Sequence, residues 1–388
     1  MPNLKSIDTI FSQAVASKAM PGIVAVAASD KGVLYEGAFG KRQLGQDAPM
    51  TLDTVVWIAS MTKAITAAAA MQLVERGKLG LERPAREVVP EVAAAKVLEG
   101  FDAAGKPRLR EPKRPITLRH LLTHTAGFGY EIWAPAIAQY QTATGTPGIT
   151  TCTNAALTTP LLFDPGDRWE YGINIDWVGK MVEATSGQKL DRYFQENIFG
   201  PLGMNDTAFK LSPSQRARLA GVHQRAEGGA LAPIEFELPQ NPEFLMGGGG
   251  LYGTATDYLA FAQMIMHDGS FKGARLLRPE TVALMAQNHI GALEVGTFKT
   301  AIPALSHDIE LFPGMSKKWG LSFLLNTQQA PTGRSAGSLA WAGLANTYFW
   351  IDRTKRVCGV FLSQVFPFYD HVAIDLLGKF ETEVYRAL

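Results

Sequence analysis

The chain has 388 residues, a formal net charge of +1, 46% hydrophobic residues and 19% charged residues. That length asks for two domains or one large one, with ample apolar material for a core. The near-zero charge excludes the broad basic surface of a nucleic-acid or anionic-membrane binder, and no apolar run is long enough to span a bilayer.

"MPNLKSIDTIFSQAVASKAM" opens the chain as an amphipathic helix, with Leu4, Ile7, Ile10, Phe11 and Val15 on one face. It lacks the basic start and unbroken apolar segment of a secretory signal, so a cytoplasmic protein is expected. "GIVAVAASDKGVLYEGAFG" reads as a hairpin turning at Asp-Lys-Gly. An Ala-rich helix follows from about Ser60 to Glu75 and stops at "RGKLG". The middle of the chain is rich in Pro, Gly and short helical patterns, such as "TLRHLLTHTAGF" and "INIDWVGKMVEATSG", with no strand pairing expected. Within it, "FDAAGKPRLREPKRP" reads as a solvated surface loop. Further on, "ATDYLAFAQMIMHDG" is a helix, and "KWGLSFLLN", "SLAWAG", "NTYFWID" and "RVCGVFLSQ" are strands, the last two joined by a turn at "DRTKR". "DHVAIDLLGKFETEVYRAL" closes the chain as an amphipathic helix. This order predicts an α+β fold, an antiparallel sheet flanked by N- and C-terminal helices. Residues 1–79 and 241–388 form the sheet domain, residues 80–240 an inserted, mainly helical domain, and the active site lies between them. Cys152 and Cys358 stand far apart without metal-ligand spacing and read as free buried thiols in a reducing compartment.

Chemistry concentrates at "SMTK", Ser60 to Lys63. A serine hydroxyl attacks poorly until a base takes its proton. Residues three apart share a helix face, so Lys63 can reach the Ser60 oxygen. The amine serves as a base only if burial lowers its pKa. Val56, Ile58, Ala59, Ala64 and Ile65 supply apolar surroundings, and no carboxylate stands between Asp53 and Glu75. The motif recurs at Ser186–Lys189, but there Gly187 breaks the helix.

The segments "SMTK", "ITLRHLLTHTAGF", "FDPGDRWEYGINIDWVGKMVEATSGQ", "FGPLGMNDTAF", "GGGGLYGTATDYLAFAQMI" and "LAWAGLANTYFWIDR" run in this order along the chain. Together they resemble the serine β-lactamase and penicillin-binding protein superfamily, the class C β-lactamases and above all the family VIII carboxylesterases. The resemblance implies a β-lactamase/transpeptidase-like fold. It implies Ser60 as the acylated nucleophile, Lys63 as its base, and Tyr171 as the proton shuttle to the leaving alcohol. The backbone N–H groups of Ser60 and Leu344 would form the oxyanion hole, with Trp341, Ala342 and Gly343 lining the site. Phe128, Tyr130, Trp133 and Tyr252 are candidates for an acyl or alcohol pocket. Two departures matter. Trp341-Ala342-Gly343 stands where β-lactamases carry Lys-Thr-Gly, and Ile173 takes the asparagine position of Tyr-x-Asn, with Asn174 one residue late. Both changes favour neutral esters over β-lactams.

The expectation is therefore a serine carboxylesterase acting on short-chain or aryl esters through an acyl-enzyme on Ser60. The alternatives are an acyltransferase on the same fold, a weak β-lactamase or DD-peptidase, and a non-catalytic binding relative. A small-molecule ester is the expected partner, with no cofactor, metal, nucleic acid or membrane, and oligomeric state is left open. Three features are set aside. "GRSAG" around Ser335, with Asp352 and His371 after it, lacks the strand-turn-helix context of a nucleophile elbow. "GGGLYG" lacks a βαβ unit and reads as a flexible loop near the active site. His124 reads as a buried structural histidine.

Overall fold

Apolar runs from both ends of the chain pair into one sheet. In the computed structural model, which describes residues 4–388, β1 (Gly22–Ser29) and β2 (Gly32–Gly40) form the first hairpin. The other strands are β3 (Lys317–Trp319), β4 (Leu324–Asn326), β5 (Leu339–Gly343), β6 (Thr347–Asp352) and β7 (Val357–Leu362). They assemble antiparallel in the order β3-β4-β5-β6-β7-β1-β2. Val24 of β1 faces Leu362 of β7, so the two chain ends meet inside the sheet, one strand in from the β2 edge. β1, β6 and β7 are buried along their whole length, as strands covered on both faces must be.

The helices of twelve residues or more are α1 (Lys5–Ala16), α2 (Thr62–Glu75), α3 (Asn174–Ser186), α4 (Ala255–Met266) and α5 (His371–Arg386). α1 and α5 cover one face of the sheet, where the Phe11 ring meets Phe361 and Phe380. α4 covers the other, with Tyr258 against Phe349. α2 is buried from Thr62 to Leu73 and packs on α3. Its nearly all-round small and apolar surface is that of a central helix. The fold is thus α+β, an antiparallel sheet flanked by terminal helices, as the sequence predicts. No helix among the described residues is long and apolar enough to cross a membrane.

The middle of the chain departs from expectation. The supposed surface loop folds into a hairpin, Val97–Phe101 against Pro107–Arg110. Asp102 organises its turn, accepting from the N–H groups of Ala104 and Lys106 at 2.9 Å each. Val222–Arg225 also pairs with Leu231–Ile234 and with Val365–Phe366. These strands are too short and too mixed in burial to leave a readable alternation.

One feature of the sheet prepares the site. β4 pairs with β5 only at Leu339 and Ala340, which leaves the Trp341–Gly343 edge of β5 uncovered by β4. That edge presses on the turn before α2. A Cβ on Gly343 would sit 2.3 Å from the Ile58 carbonyl oxygen and 2.2 Å from Thr347 Oγ1, so only glycine permits the approach.

Candidate active site

Ser60 sits in a single 3-10 turn, Ala59–Met61, that feeds directly into α2. The turn starts from Ala59 in a left-handed conformation, φ 46°, which costs a residue with a Cβ about 1–2 kcal/mol. Surrounding bonds hold it. Ile58 N–H donates to the Leu251 carbonyl at 3.0 Å, and the Ile58 carbonyl accepts from Met61 N–H at 3.1 Å and from Thr347 Oγ1 at 3.2 Å.

One turn on, Lys63 is fully buried. Its Nζ lies 3.0 Å from Ser60 Oγ, 3.0 Å from the Tyr130 hydroxyl and 2.6 Å from the Gly248 carbonyl oxygen. Those partners suit both protonation states. An ammonium donates to all three. A neutral amine donates to Gly248 and to one hydroxyl while its lone pair accepts from the other, because a hydroxyl can reverse its sense. Burial pulls the Lys63 amine well below the ordinary lysine range, and the Asp176 carboxylate opposes that pull. The expectation that no carboxylate attends Lys63 is therefore corrected: Asp176 arrives from α3, remote in sequence. Asp176 is itself fully buried, and burial pushes its carboxyl up while the Lys63 charge holds it down. Its Oδ1 accepts from Gly248 N–H at 2.8 Å, and its Oδ2 has no hydrogen-bond partner. Gly248 thus links carboxylate and amine, one through its N–H and the other through its carbonyl.

The Tyr171 oxygen accepts from Trp341 Nε1–H at 2.9 Å and hydrogen-bonds to the Ser60 side chain. Against the larger effect of burial, Ser60 and Trp341 both favour the ionised phenol as hydrogen-bond partners. Lys63 Nζ stands 4.7 Å from the Tyr171 ring centroid. Burial raises the Tyr171 phenol above its ordinary range, so it rests protonated. His124 and Asn174 form the floor beneath. The Asn174 amide and His124 Nδ1 are 2.9 Å apart, and the His124 ring packs on Tyr171 with centroids 4.8 Å apart. Burial, then the nearby Lys63 charge, keep His124 well below the usual histidine range and hence neutral. The displaced asparagine of "YGIN" therefore faces the core.

The cleft at Ser60 is lined by Trp133, Tyr171, Phe298, Ile309, Leu311, Trp341, Ala342, Gly343, Leu344 and Phe368. The structure brings Ser60, Lys63, Tyr171 and the Trp341–Leu344 edge together. Tyr130 meets them through its hydroxyl on Lys63 and does not line the cleft. Phe128 is placed elsewhere, fully buried with its ring stacked on Trp177. So is Tyr252, whose hydroxyl accepts from Leu238 N–H at 3.0 Å. Their aromatic character is satisfied by packing. Asp176, Phe298, Ile309 and Phe368 were not singled out by the sequence, whereas Gly248 opens the "GGGLYG" loop expected near the active site and does meet Lys63. Of the four, only Asp176 left a signal, a carboxylate between Ile175 and Trp177 at the start of a helix. Apart from Gly248, the set-aside features behave as core or scaffold. Ser335 meets Asp352 through its backbone N–H at 2.8 Å, and the His371 ring stacks on His307. Gly187 ends α3 in the left-handed conformation, φ 70°, so Ser186 and Lys189 lie across a helix break.

A family model described as "Beta-lactamase" matches residues 7–381. The chain is 33% identical to the monacolin J acid methylbutanoyltransferase of Aspergillus terreus over 98% of its length and 95% of that protein. It is 32% identical to the lovastatin esterase of Penicillium rubens, over 98% of each chain. Among solved structures, simvastatin synthase from Aspergillus terreus superposes with a TM-score of 0.87 at 32% identity, covering 99% of this chain and 98% of that one. The chain belongs to the beta-lactamase family.

Proposed function

We propose that the protein is an acyltransferase that carries an acyl group on Ser60 and passes it from a neutral ester or thioester donor to an alcohol. The cleft would lie between the sheet domain and the inserted helical domain. The observation that carries the reading is the contact set of the fully buried Lys63, which joins the Ser60 hydroxyl, the Tyr130 hydroxyl and the Gly248 carbonyl in one site. In the first half-reaction, neutral Lys63 takes the Ser60 proton as Oγ attacks the donor carbonyl. The backbone N–H groups of Ser60 and Leu344 stabilise the oxyanion. The Tyr171 phenol protonates the departing oxygen or sulfur and recovers a proton from the Lys63 ammonium. In the second half, an acceptor alcohol gives its proton through Tyr171 to Lys63 as its oxygen attacks the acyl carbonyl, and the acyl–Oγ bond then breaks as the Lys63 ammonium returns that proton to Ser60 Oγ. Trp341 orients Tyr171 for both.

Transfer is placed ahead of hydrolysis for two reasons. The chain resembles an acyltransferase over nearly its whole length. The lining of the cleft is dominated by apolar side chains, which disfavour water as the second nucleophile. Hydrolysis remains the second reading, favoured by the equally extensive similarity to an esterase. Trp341 in place of a cationic lysine supports neutral substrates over β-lactams in either case.

The test is partition of the acyl-enzyme. With p-nitrophenyl butyrate as donor, added alcohol should divert product from butyrate to the new ester and accelerate nitrophenol release. Ser60→Ala should abolish both, and Tyr171→Phe should cost about a hundredfold in kcat. Free butyrate as the sole product across a panel of alcohols would leave an esterase. A phosphonate label on any serine other than Ser60 would overturn both readings.

A further inference from the structure

The cleft around Ser60 encloses only about 20 Å³, too little for an acyl group. Beside it lies a cavity of about 430 Å³ between the sheet, α5 and the 311–315 segment, within the range that holds a drug-sized molecule. Leu311, Trp341 and Ala342 line both spaces. The cavity is kept open by small residues. Ala340 and Ala342 of β5 and Gly378 of α5 all border it. A Cβ added to Gly378 would meet nothing within 4 Å, although glycine is disfavoured in a helix interior. Sequence and packing therefore preserve a void that an ordinary side chain would fill. The charged side chains bordering it, Arg334 and Glu381, satisfy each other, with Arg334 Nε 2.9 Å from Glu381 Oε1. No unpaired charge faces the space.

We propose that this cavity receives the distal part of a neutral acyl chain of medium length whose carbonyl is held at Ser60. The chain runs from the Leu344 edge back along β5, past Leu311 and Ala342, and ends beside Ala340 and Gly378. The two spaces adjoin at Leu311, Trp341 and Ala342, and the proposal requires the chain to pass between them there. The inference rests on Ser60 being the acylated residue and names the acyl group it carries: a medium-chain group, in place of the short acyl groups expected from sequence.

The experiment compares kcat/KM for p-nitrophenyl decanoate and acetate within each protein, so that any loss of folded material cancels in the ratio. The wild-type ratio should favour decanoate. Gly378→Leu and, as a second variant, Ala340→Val should lower the ratio at least tenfold, because each methylene kept out of an apolar site costs about fourfold. A wild-type preference for acetate, or a ratio unmoved in both variants, overturns the proposal. Labelling with decyl and methyl phosphonates separates the two levels of inference. A label on Ser60 with an unmoved ratio defeats the cavity alone, whereas a label elsewhere defeats the nucleophile assignment.

Discussion

Gly248→Ala tests whether Lys63 is held in a position that matters. Gly248 does not lie in the left-handed region, so alanine meets no backbone penalty there. The obstacle is steric. An ideal Cβ at Gly248 would stand 2.5 Å from Asp176 Oδ2 and 3.0 Å from its Cγ and Oδ1. Opening the closest contact to 3.4 Å, where ordinary van der Waals contact begins, moves one partner by about 0.9 Å. Asp176 is short and fully buried, so it cannot swing aside as a long exposed side chain would. If it retreats, the 2.8 Å bond to Gly248 N–H is lost. If Gly248 retreats, its carbonyl leaves Lys63 Nζ, which it holds at 2.6 Å. Either route displaces the amine relative to Ser60, and a misplacement near 1 Å costs about a hundredfold in rate. The neighbouring Gly249→Ala is the control. Its Cβ would meet Met246 Cε at 2.5 Å, the end of a flexible thioether, and nothing else closer than 3.8 Å. Steady-state kcat for p-nitrophenyl butyrate should fall about a hundredfold in Gly248→Ala and by less than about threefold in Gly249→Ala. Equal losses in the two variants, or a Gly248→Ala enzyme within threefold of wild type, would refute the reasoning.

Two further perturbations separate charge from packing. Asp176→Asn keeps an acceptor for Gly248 N–H but removes the charge that raises the Lys63 pKa. The base must be neutral, so the acid limb of kcat/KM against pH should move to lower pH, each unit multiplying the free amine tenfold below the limb; a limb that stays or moves upward contradicts the coupling. Glu381→Gln should destabilise the fold by about 3–5 kcal/mol in urea unfolding, since it leaves the buried Arg334 guanidinium without its carboxylate. A loss below about 1 kcal/mol would mean that the pair is effectively solvated.

The parts of this molecule legible in the sequence are those encoded locally. The Ser60–Lys63 pair was readable because a three-residue helical spacing fixes which side chains meet. The hairpin of β1 and β2, the strands β5 to β7 and the terminal helices were readable because their apolar runs are long and bounded by turns. The hairpin at 97–110 is not legible because five charged residues interrupt its short apolar runs and its turn is organised by a side chain, Asp102. Phe128 and Tyr252 were expected at the site because they are aromatic and stand near matching segments. An aromatic ring carries no sign of which cavity it fills, and both are consumed by core packing.

What stayed hidden at the site is the non-local part. The reading of Lys63 as a base rested on a stretch free of Asp and Glu, yet the carboxylate that opposes its deprotonation comes from α3, and the carbonyl that anchors it comes from the glycine run before α4. Neither contact changes the local argument for burial. Both change its consequence. A lysine desolvated alone would rest neutral, and its pKa would be set by burial only. A lysine desolvated near Asp176 is pulled down by burial and held up by that carboxylate, so the fraction of Lys63 that is neutral depends on how Gly248 positions the two groups. That makes Gly248 the geometric control on the base: its N–H stabilises the carboxylate and its carbonyl stabilises the ammonium. Any shift of this one residue alters both the reach of Lys63 to Ser60 and the share of enzyme in which Lys63 can accept a proton.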